Sequence, residues 1–333
     1  MRFLLTLFTL LLLIAVTAGA GLIFLKRHLD TQGPLTTQTT VFIAPGTGVK
    51  AMGAQLSDAH VIQFKEIFYG VVALRQIQGR LQAGEYAFEP GVSLGAVINK
   101  MVSGDVLHRM VTIPEGLSSF EATQIINAAE GLRGTVEVPA DGTLLPETYS
   151  YIRDEPRSKL VGQMQSAMTQ TIDQLWESRA QNLPFKTKEE ALVLASIVEK
   201  ETRVPSERAR VAGVYINRLN KGMMLQSDPT VIYAITKGTA KIDRVLYAHL
   251  ETDSPYNTYR NTGLPPGPIC NPGKASIAAV LQPETNDYLY FVADGTGAHI
   301  FAKTADEHLA NVAKWRVVQR AARTQNASGT AQP

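Results

Sequence analysis

Thr187-Lys-Glu-Glu-Ala-Leu-Val-Leu-Ala-Ser-Ile-Val-Glu-Lys-Glu201 is the stretch on which the reading of this chain turns. Thr187 and Glu190 form the Thr-x-x-Glu signature of a capping box just ahead of an apolar run, so a helix starts here at a defined point. Ala191–Val198 is apolar almost all round, which predicts burial on more than one side. At helical spacing Glu201 falls three and four residues after Val198 and Ile197 and seven after Leu194, so it continues an apolar stripe. Glu199 falls on roughly the opposite side, nearer Ala195, Leu192 and Lys188. A carboxylate on an apolar stripe loses water, and that loss raises its pKa toward neutrality. A carboxylic acid still protonated near neutral pH can give up its proton, as glycosidic bond cleavage requires. The plainer reading makes Glu199 and Glu201 the solvated end of a core helix, and spacing alone favours it.

The surrounding blocks change that weighing. They are Ala195-Ser-Ile-Val-Glu-Lys-Glu-Thr202, Ser206-Glu-Arg208, Val214-Tyr-Ile-Asn-Arg-Leu219 and Leu225-Gln-Ser-Asp-Pro-Thr-Val231, then Ser254-Pro-Tyr-Asn-Thr-Tyr259, Gly263-Leu-Pro-Pro-Gly-Pro-Ile269 and Asn271-Pro-Gly273. In order and spacing they resemble the core of the MltG (YceG-like) endolytic murein transglycosylases, and the resemblance runs from the N-terminal apolar segment to about residue 316. It implies that the second Glu of Glu-Lys-Glu, Glu201 here, is the catalytic acid/base. It also implies a lytic transglycosylase, a carbon–oxygen lyase that cuts MurNAc-β-1,4-GlcNAc bonds within nascent peptidoglycan strands. The products would carry 1,6-anhydro-MurNAc ends, and strand length would be limited. One carboxyl can protonate the leaving oxygen and then, as carboxylate, take the proton of the sugar's own C6 hydroxyl. This chemistry needs no cofactor and no metal.

Upstream, Phe3–Leu25 is apolar and uncharged, long enough to cross a bilayer, with Arg2 before it and Lys26-Arg27-His28 after it. Ala18-Gly-Ala20 resembles a signal-peptidase site, but the apolar run continues through Leu22-Ile-Phe-Leu25, which favours an uncleaved signal anchor over residues 1–28. The basic cluster on the C-terminal side leans toward the reverse orientation. The resemblance instead places the N-terminus in the cytoplasm and the body in the periplasm, as a single-pass protein of the cell inner membrane. Residues 29–38 read as a linker and 39–113 as a small unit of strand, helices, strand, helix and strand. The resemblance identifies that unit as LysM-like, a fold that binds N-acetylglucosamine polymers. Pro114-Glu-Gly116 opens residues 114–320, the mixed α+β YceG-like catalytic domain, and 321–333 read as a disordered tail. The fold class is therefore α+β.

Further candidates surround Glu201. Glu147 is the best second carboxylate, either positioning substrate or shaping a turn after Pro146. Gln226, Ser227 and Asp228 could bond sugar hydroxyls and acetamido groups, with Asp228 favoured as the N-cap of a helix whose first position is Pro229. Asn257 and Tyr259 suit a saccharide cleft, or equally a loop held by its own hydrogen bonds. Arg203 and Arg218 could pair with Glu199 or Glu207, and no Arg is expected beside Glu201, where it would oppose a raised pKa.

Several classes are excluded or weakened. The net charge of +2 gives no nucleic-acid footprint. The six histidines show no His-Glu-x-x-His spacing, and no phosphate-binding glycine loop is present. Cys270 stands alone, without a disulfide partner, and reads as a structural thiol. Two other functions stay open: a non-catalytic peptidoglycan-binding scaffold, and a hydrolytic muramidase using two carboxylates. Peptidoglycan glycan strands are the implied ligand. Peptidoglycan synthases (penicillin-binding proteins) are partners by resemblance only.

Overall fold

The computed structural model describes residues 2–329. Helix α1, Arg2–Asp30, contains a stretch long and apolar enough to cross a membrane. It runs past the apolar segment because Lys26–Asp30 offers no glycine or proline stop. Leu29 at its end is buried in a core.

The chain divides into two compact units. The first holds Met1–Arg109 with Glu130–Leu132 and Ser150–Glu155. Its strands β1 (Thr39–Ile43) and β2 (Gly84–Phe88) pair antiparallel, with Thr39 opposite Phe88 and Ile43 opposite Gly84. Helices α2 (Val49–Asp58) and α3 (Lys65–Leu74) lie between them in sequence, and α4 (Leu94–Ser103) follows. Alternation along the strands sends Val41, Ile43, Tyr86 and Phe88 into a core with Leu56, Phe68, Val72, Ile98 and Met101. Ser93 caps α4 by accepting from the Ala96 amide, and Gly104 ends it at φ 70, in the left-handed region that favours glycine. Glu85 is the buried exception on β2. Arg109 donates to it at 2.8 Å and Arg153 at 2.9 Å, and the Arg109 bond leads in holding its carboxyl below the usual range.

The second unit holds Met110–Ala129, Arg133–Tyr149 and Pro156–Pro333. Strands β3 (His108–Thr112) and β4 (Thr148–Ile152) pair with each other, with Met110–Thr112 and Thr148–Tyr149 counting in this unit, and α5 (Ser119–Ala128) falls between them in sequence. The helices α6 (Arg157–Glu177), α7 (Lys188–Glu201), α8 (Arg208–Asn220), α9 (Asp228–Thr236), α10 (Tyr247–Leu250) and α11 (Lys274–Leu281) follow. The chain closes with the antiparallel pair β5 (Tyr290–Ala293) and β6 (His299–Ala302), then α12 (Ala305–Gly329). Residues 321–329, expected to belong to a tail, continue α12; 330–333 lie outside the described residues.

Helix α7 is the axis of this unit. The capping box forms as expected: the Glu190 amide donates to Thr187 Oγ1, and the Thr187 amide donates to Glu190 Oε2. Ala191, Leu194, Ala195, Ile197 and Val198 are wholly buried, and α6, α8, α9 and α11 pack around them. The loop before α11 is laced onto α7, with the Ile269 amide donating to Ser196 Oγ and the Cys270 thiol donating to the Ser196 carbonyl. Cys270 is buried, and burial pushes its thiol pKa well up, so it is structural.

Asn271 ties the same loop to the segment before α5. Its Oδ1 accepts from the Leu144 amide, and its Nδ2 donates to the Leu117 carbonyl and Ser119 Oγ. It is completely buried, so truncation strands buried polar groups without water to replace their partner. Asn271→Ala is therefore expected to lower unfolding stability by about 3 kcal/mol. Urea denaturation measures this, and a midpoint unchanged from the parent would contradict it.

Candidate active site

The last turn of α7 carries Glu201 to a cavity of about 440 Å³. One side is formed by Glu201, Tyr215, Arg218, Gln226, Asp228 and Tyr259, and the other by Tyr290, Phe291 and Val292 of β5 with His308 and Val312 of α12. A larger groove, about 570 Å³, runs along Trp176–Lys186. Its charged side chains are exposed, and Arg179 covers the Trp176 ring at 4.3 Å, so no buried acid is presented there.

Two hydroxyls address one oxygen of Glu201. Ser227 Oγ donates to Oε1 at 2.5 Å and Tyr215 OH donates to Oε1 at 2.8 Å. Among the described residues no donor addresses Oε2, which leaves that oxygen for a proton and faces the acid toward the cavity. Burial is the first cause acting on the Glu201 pKa and raises it. The Ser227 and Tyr215 bonds pull it down, the charge of Asp228 pushes it up and that of His299 pulls it down; the balance stays above the ordinary carboxyl value. No Arg or Lys among the described residues pairs with Glu201.

Local structure explains both donors. Tyr215 lies on the buried face of α8, 2% exposed, with its ring edge-on to Phe291 at 5.8 Å. Burial, then the Glu201 charge, raises its hydroxyl pKa well above the usual value, so it stays a donor. Ser227 follows Gln226, whose φ of 51 is left-handed. A non-glycine residue adopts that conformation at a cost of about 1–2 kcal/mol, and here it turns the chain so that Ser227 meets Glu201. Thr258 pins the turn: the Ser227 amide donates to its Oγ1 and the Gln226 amide to its carbonyl.

The other candidates separate. Gln226, Asp228 and Tyr259 line the cavity with Glu201, and Tyr259 OH donates to Asp228 Oδ1 at 2.7 Å. Burial, then that bond, raises the Tyr259 pKa. Asp228 is not the N-cap of α9: Ser227 holds that position without a side-chain cap, and Asp228 occupies the first turn. Asn257 is fully buried, its Nδ2 donating to the Leu250 and Thr252 carbonyls and its Oδ1 accepting from the Tyr259 amide. Of its two roles it takes the loop-holding one. Glu147 is exposed and is not among the cavity-lining residues. Its negative charge instead contributes, behind burial, to pushing the Tyr149 pKa up to about 12.

Glu199 faces away from the cavity. Its Oε2 accepts from the Gly273 amide at 3.0 Å, and Arg208 lies 3.7 Å from its Oε1. The expected arginines do not make these pairs: Arg208 serves Glu199, His299 serves Glu207 at 2.8 Å, and Arg218 is spent on the carbonyls of Leu289, Met224 and Leu225. Among the described residues no cluster of three or more His, Cys, Asp or Glu is placed to hold a metal.

With that site in view, the comparisons define the class. The YceG-like family profile matches residues 41–314. The chain is 33% identical over 305 residues to a protein of Bacillus subtilis (strain 168) named endolytic murein transglycosylase, covering 82% of this chain and 83% of that protein. It is 27% identical to the Streptococcus pneumoniae (strain D39) protein of the same name, covering 91% of this chain and 64% of that longer protein's length. A yceG-like protein of Listeria monocytogenes, in a crystal structure at 2.6 Å, aligns with a TM-score of 0.52 at 30% identity, over 82% of this chain and 98% of that one. The chain belongs to the YceG-like family, and like its curated relatives it is a transglycosylase.

Proposed function

We propose that the chain is an endolytic murein transglycosylase that cuts MurNAc-β-1,4-GlcNAc bonds in nascent glycan strands and leaves 1,6-anhydro-MurNAc ends. The observation that carries this reading is Glu201, a half-buried carboxyl of raised pKa with two hydroxyl donors on one oxygen, at a cavity in a chain of this family. Oε2 protonates the leaving oxygen. The resulting carboxylate is stabilised on Oε1 by Ser227 and Tyr215 and takes the C6 hydroxyl proton, closing the anhydro ring. Gln226, Asp228 and Tyr259 bind sugar from the cavity wall, Ser227 acts through Glu201, and Asn257 holds the loop that presents Tyr259.

Helix α1 anchors the protein in the inner membrane, with the N-terminus cytoplasmic and the body periplasmic. Supporting the anchor are its length and apolarity. The unit containing β1 and β2 serves as a LysM-like glycan-binding module, a reading supported by its antiparallel pair with two helices inserted between the strands. Anchoring near the site of synthesis limits strand length and places the enzyme beside peptidoglycan synthases.

Incubating the full-length protein in detergent with uncrosslinked glycan strands and reading the ends by mass spectrometry tests this. Anhydro ends are expected. Reducing ends would replace the proposal with a hydrolase whose second carboxylate is Asp228, the acid that shares the cavity with Glu201. Binding without cleavage by the folded protein would replace it with the scaffold.

A further inference from the structure

Helix α1 does not end in a free linker. Leu25 packs against the core of the first unit, Leu29 is buried in it, and α4 lies alongside. The approach is close: a Cβ on Gly95 would stand 2.9 Å from the Leu29 carbonyl oxygen. The C-terminal end of the helix therefore packs into the same compact body as the unit. If α1 spans a bilayer, its apolar run ends at Leu25, and His28 stands about 4.5 Å further along the axis. That distance lies inside a headgroup layer about 5–8 Å thick.

At this level the unit presents a cavity lined by both polar and apolar side chains, with the Arg27 guanidinium among them. The cavity, about 260 Å³, lies between Arg27, His28 and Gln32 on one side and Phe64, Ile67 and Leu94 on the other. The Phe64 ring stands 6.4 Å from that of His28, yet Phe64 is 45% exposed. Lys26 and Arg27 are exposed, and neither has a carboxylate partner among the described residues. Basic side chains at headgroup depth attract anionic lipid, and the exposed Phe64 ring beside them offers an apolar surface to the acyl chains.

We propose that this cavity takes the glycerophosphate region of an anionic phospholipid from the bilayer that α1 crosses, with Arg27 on the phosphate and Phe64 at the acyl boundary. The inference rests on α1 being a membrane span. It fixes the first unit against the membrane surface instead of leaving it tethered at a distance.

The test uses the full chain in nanodiscs of phosphatidylcholine, with and without phosphatidylglycerol, made with lipids brominated near the carbonyl. Phe64→Trp adds one fluorophore to the two native tryptophans, and Phe8→Trp is the control within α1. The emission added by Phe64→Trp is expected to be quenched by at least half. It should shift to the blue when phosphatidylglycerol is present, and Arg27→Gln should remove that dependence. Quenching of the Phe8→Trp emission alone would overturn the headgroup contact and leave the anchor standing. Quenching of neither would overturn the span and the contact together. Quenching at Phe64→Trp that ignores phosphatidylglycerol would overturn the anionic site.

Discussion

Glu201→Gln is expected to lower the rate of strand cleavage by at least about 1,000-fold while the protein remains folded. General acid–base catalysis by one group is worth about 100- to 10,000-fold, and here one carboxyl serves both proton transfers. The amide oxygen of Gln can still accept from Ser227 and Tyr215, so the packing at Oε1 survives the change. Stability should move the other way. The folded protein raises the Glu201 pKa above its ordinary value of 4.5, chiefly by burial. Between the ordinary and the raised value the folded chain keeps the proton that the unfolded chain has lost. Stability then falls as pH rises through that window and levels off above the folded pKa. The Gln variant has no such window. Its melting temperature should exceed that of the parent at pH 8 by more than it does at pH 4. Parallel melting curves at all pH values would show that Glu201 carries no raised pKa, and the mechanism would lose its acid.

The parts that could be read in the chain were those set by neighbours a few residues away. Thr187 and Glu190 announce the start of α7, and the spacing from Leu194 through Ile197 and Val198 puts Glu201 on the buried stripe. Where a turn outside the pattern intervened, the reading shifted. The left-handed Gln226 moves the cap of α9 from Asp228 to Ser227, which frees the Asp228 carboxylate for Tyr259. A single 3₁₀ turn at Pro205–Glu207 starts α8 at Arg208 and brings Arg208, rather than Arg203, to Glu199. Asp-Pro and Val-Pro mark a break; they do not say how the chain rotates while crossing it. The far wall of the cavity was beyond local pattern altogether. Phe291 and His308 lie some 90 to 107 positions from Glu201, and only the packing of β5 and α12 in the second unit brings them to the same space. Tyr215 lies in the core, and the partner its hydroxyl finds depends on the crossing of α7 and α8.

Ser227→Ala and Tyr215→Phe should each slow cleavage about 10- to 100-fold and move the pH–rate profile in a direction that packing alone cannot produce. Both hydroxyls donate to Oε1, and both bonds lower the Glu201 pKa, Ser227 by more. A hydrogen bond to a charged group contributes about 1.5–3 kcal/mol. Charge develops on the carboxyl as the leaving oxygen takes its proton, so the transition state loses a stabilising interaction that the protonated ground state scarcely needs. Without either hydroxyl the carboxylate is less stable, the pKa rises further, and the limb of the profile reporting Glu201 shifts to higher pH. The maximal rate falls at the same time, because a weaker acid protonates the leaving group less readily. KM should change little, since both hydroxyls face Glu201, and the shift should be larger for Ser227→Ala than for Tyr215→Phe. Phe keeps the ring against Phe291, so a Tyr215→Phe variant with normal melting but an unmoved limb would assign Tyr215 to packing and leave Ser227 alone to set the acid.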